Sequence, residues 1–355
     1  MAIVSVSQLK PGERITENVQ TRRGNLLLPK GRVITEKEIE VLKAFLISSV
    51  QVDSKTPEPQ VSKENAVVEE TAAPVRSNPF YDEYDKMLSL LKRVFTSVSG
   101  EIPQILEIRN QLESLLQYID QYQVLTFSPR SFQLEDYIYH NSIMVSLTSY
   151  CLAKWHGLPS KDWIPVALGG LLHDIGNARV DTHILFKPNK LTKEEAEEMR
   201  KHTIIGYNFL KNVKAISDGV KFTALQHHER EDGSGYPLGV KGENIHLYSK
   251  IIAIADMFHA MTTDRYHKKA ESRYLVLDQL FNESFGKLDP ALVQTFIQKV
   301  TQFHNGVLVK LNDNRIGEIV FSDRTHPTRP WVNVNGTIIN LSLERSLYIQ
   351  DVIQK

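Results

Sequence analysis

The sequence predicts a mainly α protein, a helical core with a small α/β module before it and a small β module after it. Three observations predict this. Apolar residues recur at helical spacing through the middle of the chain, as at Leu112, Leu115, Leu116 and Ile119. Period-two alternation with turn pairs occurs at both ends. The composition, 41% hydrophobic and 24% charged, is that of a folded chain with a substantial core. At 355 residues the chain is longer than one ordinary domain and suits two or three.

Residues 1–53 read as the α/β module. Ile3, Val4 and Val6, then Leu26, Leu27 and Leu28, suggest short strands broken by Pro11-Gly12, Gly24-Asn25 and Lys30-Gly31. Thr35 with Glu38 is a capping-box pair, predicting a helix with Ile39, Leu42, Phe45 and Leu46 on one side. Residues 48–52 look like a closing strand. Residues 54–79 are expected to be a flexible linker, since Pro57, Pro59, Pro74 and Pro79 stand among small and charged residues that bury too little to offset ordering entropy. Residues 80–125 read as a helical connector, with 81–122 a hairpin or a dimerisation segment. Residues 126–303 form the helical domain that holds the chemistry. In it Thr192 with Glu195 opens a helix carrying Met199, His202, Gly206 and Phe209 on one face. Residues 304–355 form the β module, with strands expected at 307–311, 317–321, 331–334 and 337–341. There is no internal repeat.

Lys+Arg and Asp+Glu both number 42, so no global charge draws the chain to duplex nucleic acid or an anionic membrane. The single cysteine, Cys151, cannot form an internal disulfide and reads as inert packing in a reducing cytoplasm. The first ten residues lack a signal pattern. The longest uncharged stretch, 137–153, contains His140, Asn141, Ser142, Ser146, Thr148 and Ser149 and is too polar for a membrane span of about 20 apolar residues. A cytoplasmic soluble protein is expected.

The chemistry lies in scattered His and Asp residues. Asp136 and His140, at i and i+4, share a helix face that continues through apolar Ile143, Met144 and Leu147. His173-Asp174 ends the run Val166 to Leu172 and precedes Gly176; a carboxylate placed there must be compensated. His202 lies on the inward face of its helix. His227-His228-Glu229 precedes the glycine-rich Asp232-Gly233-Ser234-Gly235-Tyr236-Pro237. Asp256 interrupts Ile251, Ile252, Ala253, Ile254 and Ala255, a run that should be deeply buried, where pairing with an Arg is the ordinary alternative. Taken singly, each has an ordinary reading as a satisfied core group. Together, Asp136, His140, His173, Asp174, His202, His227, His228 and Asp256 are an all-O/N donor set without Cys. Such a set favours iron, manganese or zinc with open positions over a closed structural zinc site. They are more donors than one ion needs, so two or three metals are expected, an arrangement suited to phosphoryl chemistry.

These residues resemble the HD-GYP family. The resemblance rests on His173-Asp174-Ile175-Gly176, the stretch LFKPNKLT over 185–192, Lys201-His202 with Gly206, the block HHEREDGSGYP over 227–237, IAIAD over 252–256, and Thr263-Asp264-Arg265. It covers roughly residues 130–303. It implies an all-helical HD-superfamily core with two or three divalent ions, iron or manganese. It also implies hydrolysis of cyclic di-GMP to pGpG and on to GMP through a metal-bridging hydroxide. Carried over, His173 and Asp174 are catalytic, with Asp174 bridging two metals, and Asp136 serves a third. Gly235, Tyr236 and Pro237 form the ligand loop, with Tyr236 on a guanine, and Arg265 and Lys269 meet phosphates. Three positions depart from the pattern: Asn177 where the family has Lys, His259 where it has a second Asp, and Tyr266-His267 where it has Pro-Tyr. Lys187 or Lys190 is expected to restore the charge missing at Asn177. Those departures keep two other readings in view, a catalytically weak cyclic di-GMP receptor and a phosphohydrolase of another nucleotide. The terminal modules read as docking or dimerisation elements, for a homodimer or a protein partner.

Overall fold

Alternating apolar residues at both ends do form strands, and those strands pair antiparallel. The computed structural model describes residues 2–20, 26–35, 38–39, 42, 47, 49–53, 78–97, 105–266, 268–302, 306–323 and 325–353. β1 (Ala2–Ser5), β2 (Arg14–Ile15) and β5 (Ser49–Asp53) make a sheet with β5 central, while β3 (Val19–Gln20) pairs with β4 (Leu26–Leu28). The linker over 54–77 and most of the helix expected after Thr35 lie outside the described residues.

At the other end, β6 (Leu308–Leu311), β7 (Ile316–Phe321), β8 (Trp331–Val334), β9 (Thr337–Asn340) and β10 (Ile349–Ile353) form one antiparallel sheet in the order β10-β6-β7-β8-β9. β10 escaped the sequence analysis, as did β2 and β3. Leu308, Ile316 and Ile353 share one apolar cluster with Ile15, Ile34, Leu42, Val50 and Val52. Met1–Val75 and Phe303–Lys355 therefore form one compact unit, and Arg76–Gln302 the other.

The second unit is helical. Pro79, placed in the linker by composition, instead opens α1 (Pro79–Ser97). A proline suits the first helical position because its missing N–H has no partner to lose there, and Asn78 Oδ1 accepts the Phe80 N–H at 3.0 Å. α1 buries Phe80, Tyr84, Met87 and Leu91, a 3.6-period face. Phe80 and Tyr84 pack on Phe127 at centroid distances of 5.6 and 5.3 Å. α2 (Ile105–Leu116) lies beside α1, so the connector packs as a hairpin.

The chain continues through α3 (Tyr137–Trp155), α4 (Ser160–Leu172), α5 (Thr182–Leu185), α6 (Lys193–Arg200), α7 (His202–Leu210), α8 (Asp218–Gln226), α9 (Leu247–Thr262), α10 (Arg273–Glu283) and α11 (Pro290–Val300). α3 is central, packed on α4 and α9, and α4 in turn meets α8. α3 buries polar side chains as well as apolar ones, and one of them ties it to its neighbour: Ser146 Oγ donates to the Ala167 carbonyl of α4 at 2.7 Å. The Thr192–Glu195 capping box is complete. The helix expected to run on from it breaks at Lys201, where the His202 and Thr203 side chains bond the Met199 and Arg200 carbonyls at 2.7 and 2.9 Å and so terminate α6.

Between α4 and α5 the chain makes a 3-10 turn, Ile175–Arg179, that lies against α7. Gly176 permits the contact: a Cβ there would sit 1.9 Å from the His202 carbonyl oxygen. Gly176→Ala should therefore destabilise the unit by at least the roughly 1–3 kcal/mol typical of overpacking, seen as a lower urea midpoint; an unchanged midpoint would show that the two backbones are not held in contact.

Candidate metal centre and its cavity

The ends of three helices and the interior of a fourth converge on one point. His173 caps α4, Asp174 follows it, His202 begins α7, His227 caps α8 with His228 next, and Asp256 lies within α9. Helix ends offer carbonyls without intrahelical partners, and three imidazoles use carbonyls at or near those ends. His173 Nδ1 donates to Gly170 O at 2.7 Å, His202 Nδ1 to Met199 O at 2.7 Å and His227 Nδ1 to Thr223 O at 2.8 Å. A carbonyl only accepts, so each Nδ1 carries the proton and each Nε2 turns toward the cluster, the tautomer a metal ligand needs.

Asp174 sits at the middle. Its Oδ2 is 3.3 Å from His173 Nε2, while its Oδ1 is 3.3 Å from His202 Nε2 and 3.7 Å from His227 Nε2. Asp256 Oδ1 is 3.5 Å from His173 Nε2 and accepts the Asn141 amide at 3.0 Å, not an arginine. Two donor groups result, each with its donor atoms within 4.8 Å of one another: Asp174, His202, His227 and His228; and His173, Asp174 and Asp256. Asp174 alone belongs to both, one oxygen toward each.

The electrostatics ask for a cation. Burial opposes charge on Asp174, yet the imidazoles of His173, His202 and His227 hold its carboxyl well below its usual range. Burial likewise works against a charged His173, but Asp174 and Asp256 outweigh it and hold its pKa well above the ordinary value. Burial and neighbouring groups push His227 down to about 3 and hold His228 well below its ordinary value, so both are neutral donors. Both carboxylates thus face the His173 imidazolium, and His173 Nε2 is buried without a well-formed hydrogen bond. Divalent ions would satisfy that orphaned nitrogen and the two carboxylates together, so the residues fit metal.

Beside the cluster lies a cavity of about 310 Å3, whose lining includes Asn177, Tyr236 and Arg265 as well as Asp174, His202, His228 and Asp256. Asn177 Oδ1 is buried without a donor. Gly235 and Pro237 shape the loop: Tyr236 N–H donates to the His228 carbonyl at 3.2 Å, and a Cβ at Gly235 would come within 2.4 Å of Glu229 Cα. Tyr236 stacks on His228 at 4.6 Å.

Other expected residues are placed elsewhere. Asp136 belongs to the 3-10 turn before α3 and pairs with Lys92 Nζ at 2.7 Å. His140 bonds Tyr84 through Nδ1 at 3.0 Å; its Nε2 is buried without a partner, and burial lowers its pKa to about 4. Neither belongs to the two donor groups among the described residues. Lys187 is held by Glu195 at 2.6 Å, and Lys269 is exposed. His259 bonds Thr148 at 2.7 Å, inside the core. Two contributors were missed. Asn141 supports Asp256, and Glu229 accepts the N–H groups of Leu238 and Val240 at 2.7 and 3.2 Å, fastening the loop after the histidines. The polar triplet His140-Asn141-Ser142 on an otherwise apolar helix was a usable signal for the first.

Residues 113–292, more than half of the chain, match the family model described as HD domain. The chain belongs to the HD domain family. This HD domain is 35% identical over 186 residues to the cyclic di-GMP phosphodiesterase PA4108 of Pseudomonas aeruginosa, covering 52% of this chain and 45% of that protein. It is 30% identical over 214 residues to the cyclic di-GMP phosphodiesterase PdeB of Borreliella burgdorferi, covering 59% and 56%. The chain thus spans about half the length of the curated relatives it matches. Bd1817, an HDG"Y"P protein from Bdellovibrio bacteriovorus, is similar in structure at a TM-score of 0.52 and 18% identity, over 83% of this chain and 97% of that one. That likeness supports the fold, an HD-type helical core with small sheets at both ends. No helix among the described residues is long and apolar enough to cross a membrane.

Two outcomes are expected of the HD domain's donor set. Asn141→Ala, which strips Asp256 of its supporting amide, should weaken metal binding roughly 10- to 100-fold in a chelator competition; undiminished affinity would remove Asn141 from the site. The proton on His173 and a cation compete for one position. Because the folded pKa of His173 is raised, that proton is bound below the raised value and lost above it, so metal affinity should climb as pH rises through it. Affinity that is flat with pH would contradict the competition.

Proposed function

We propose that this chain is a metal-dependent phosphodiesterase that opens cyclic di-GMP to pGpG and cuts pGpG on to GMP. One observation carries the reading: Asp174 offers its two oxygens to two different sets of imidazoles at the wall of a cavity that also holds Arg265. A carboxylate shared in this way suits closely spaced ions, iron or manganese, held by His173, Asp174, His202, His227, His228 and Asp256. His140 and Asp136 stand as candidates for a third. Bound there, such ions supply an activated water and offset charge on the phosphoryl oxygens.

The chain's own residues orient the diester. Arg265 offsets phosphate charge as it grows toward the transition state. The Asn177 amide gives the ligand a neutral hydrogen-bonding partner. Tyr236 steadies His228 by stacking on it. Water adds to phosphorus, the P–O3′ bond breaks, and the ribose leaves with a 3′-hydroxyl and the phosphate on the 5′ side. The similarity to named cyclic di-GMP phosphodiesterases supports the choice of substrate.

A second reading, a cyclic di-GMP receptor with weak turnover, draws on Asn177. A neutral amide stands where resemblance leads one to expect a lysine, and Lys187 is engaged by Glu195. Turnover measured beside a binding titration on the same metal-loaded sample separates the two. For the enzyme, wild type cleaves cyclic di-GMP and His173→Ala/Asp174→Ala loses both metal and turnover. A double variant that still cleaves at the wild-type rate would sink the assignment.

A further inference from the structure

We propose that Phe186 and Tyr266 form a base-binding clasp in the cavity, a stacking subsite for one purine of the cyclic dinucleotide; this rests on the function proposed above. Besides histidines, the aromatic rings lining the cavity are Tyr137, Phe186, Tyr236 and Tyr266. The protein itself occupies two of them. Tyr236 carries the His228 ring at 4.6 Å and 23°, and the Arg200 guanidinium 5.1 Å from its centroid. Tyr137 carries the Arg265 guanidinium at 5.6 Å. The tyrosine of the glycine-rich loop is therefore engaged in holding a histidine, and a flat ligand needs another surface.

Phe186 and Tyr266 meet each other edge-on, 5.7 Å apart at 63°. In an edge-on pair the ring that presents its edge keeps its faces clear of the other ring. Both side chains are half-buried, and they come from separate elements. Phe186 caps α5, its N–H bonded to the Thr182 carbonyl at 3.0 Å, and Tyr266 follows α9 with its hydroxyl bonded to Glu135. Around them the wall is apolar, with Leu134, Ile138, Leu185 and Leu191. A planar heterocycle fits such a wall. Asn177 Oδ1, buried in the same cavity without a donor, can accept an N–H from its edge.

The test uses the metal-loaded full chain. Steady-state constants are measured for cyclic di-GMP and for methyl p-nitrophenyl phosphate, a diester without a purine. Base stacking on an aromatic side chain corresponds to a factor of roughly ten to a hundred. Phe186→Ala/Tyr266→Ala should raise KM for cyclic di-GMP by that factor, with the effect on KM rather than kcat and well beyond any effect on the small diester. Phe186→Tyr and Tyr266→Phe, which keep the rings, should retain the wild-type KM. An unchanged KM in the alanine pair, or an equal loss on both diesters, overturns the clasp. Wild-type protein that cleaves the small diester and leaves cyclic di-GMP intact overturns the proposed function, and the clasp with it.

Discussion

Two carboxylates shielded among imidazoles set the terms for the helical unit. Asp174 and Asp256 are taken largely out of water, and taking an anion out of water is costly unless its charge is matched nearby. Burial keeps His227 and His228 neutral, while His173 holds a proton against both carboxylates. The packing that brings the site together must offset the cost of burying them: Gly176 pressed on the His202 carbonyl, α3 tied to α4 through Ser146, and α3 supporting Asp256 through Asn141.

What could be read in the sequence follows from how far apart the interacting residues are. Helices with regular periodicity, the Thr192–Glu195 box and the His173-Asp174 pair at a helix end all depend on neighbours within a turn or two, and all are where local patterns place them. The strands at both ends were legible for the same reason, save β2, β3 and β10. The misplacements have non-local causes. Composition gave Pro79 to the linker because nothing local shows that α1 will find Phe127 and Tyr122 to pack against. Helical spacing put Asp136 and His140 on one face of one helix, whereas Asp136 lies in the turn before α3 and takes Lys92 from α1. The shared core of the two end segments joins stretches on opposite sides of the helical unit in sequence, and no periodicity signals such a pairing.

The site itself was legible as a donor list and illegible as a geometry. Sequence supplied the histidines and acids but not the backbone carbonyls of Gly170, Met199 and Thr223 that fix three imidazole tautomers. Nor could it supply the division of Asp174 between two donor groups, a property of where α4, α7 and α8 end in space. Glu229 shows the same limit. It lies inside the most specific motif of the chain, yet its work is to hold the backbone of Leu238 and Val240, a contact visible only once the loop is folded.

Charge in the cavity then couples recognition to the cluster. Among the described residues lining it, Arg265 is the sole lysine or arginine, and its guanidinium already lies over Tyr137. Lys187, the nearest replacement suggested by sequence, is committed to Glu195. A cyclic dinucleotide carries two phosphates, and one guanidinium facing two carboxylates cannot balance them. Under the proposed function, ions held by Asp174 and Asp256 would supply the remaining positive charge. The cations proposed to activate water would then also make room for an anion. Without such ions the two carboxylates would face the phosphates of the ligand with only Arg265 and the His173 proton to offset them.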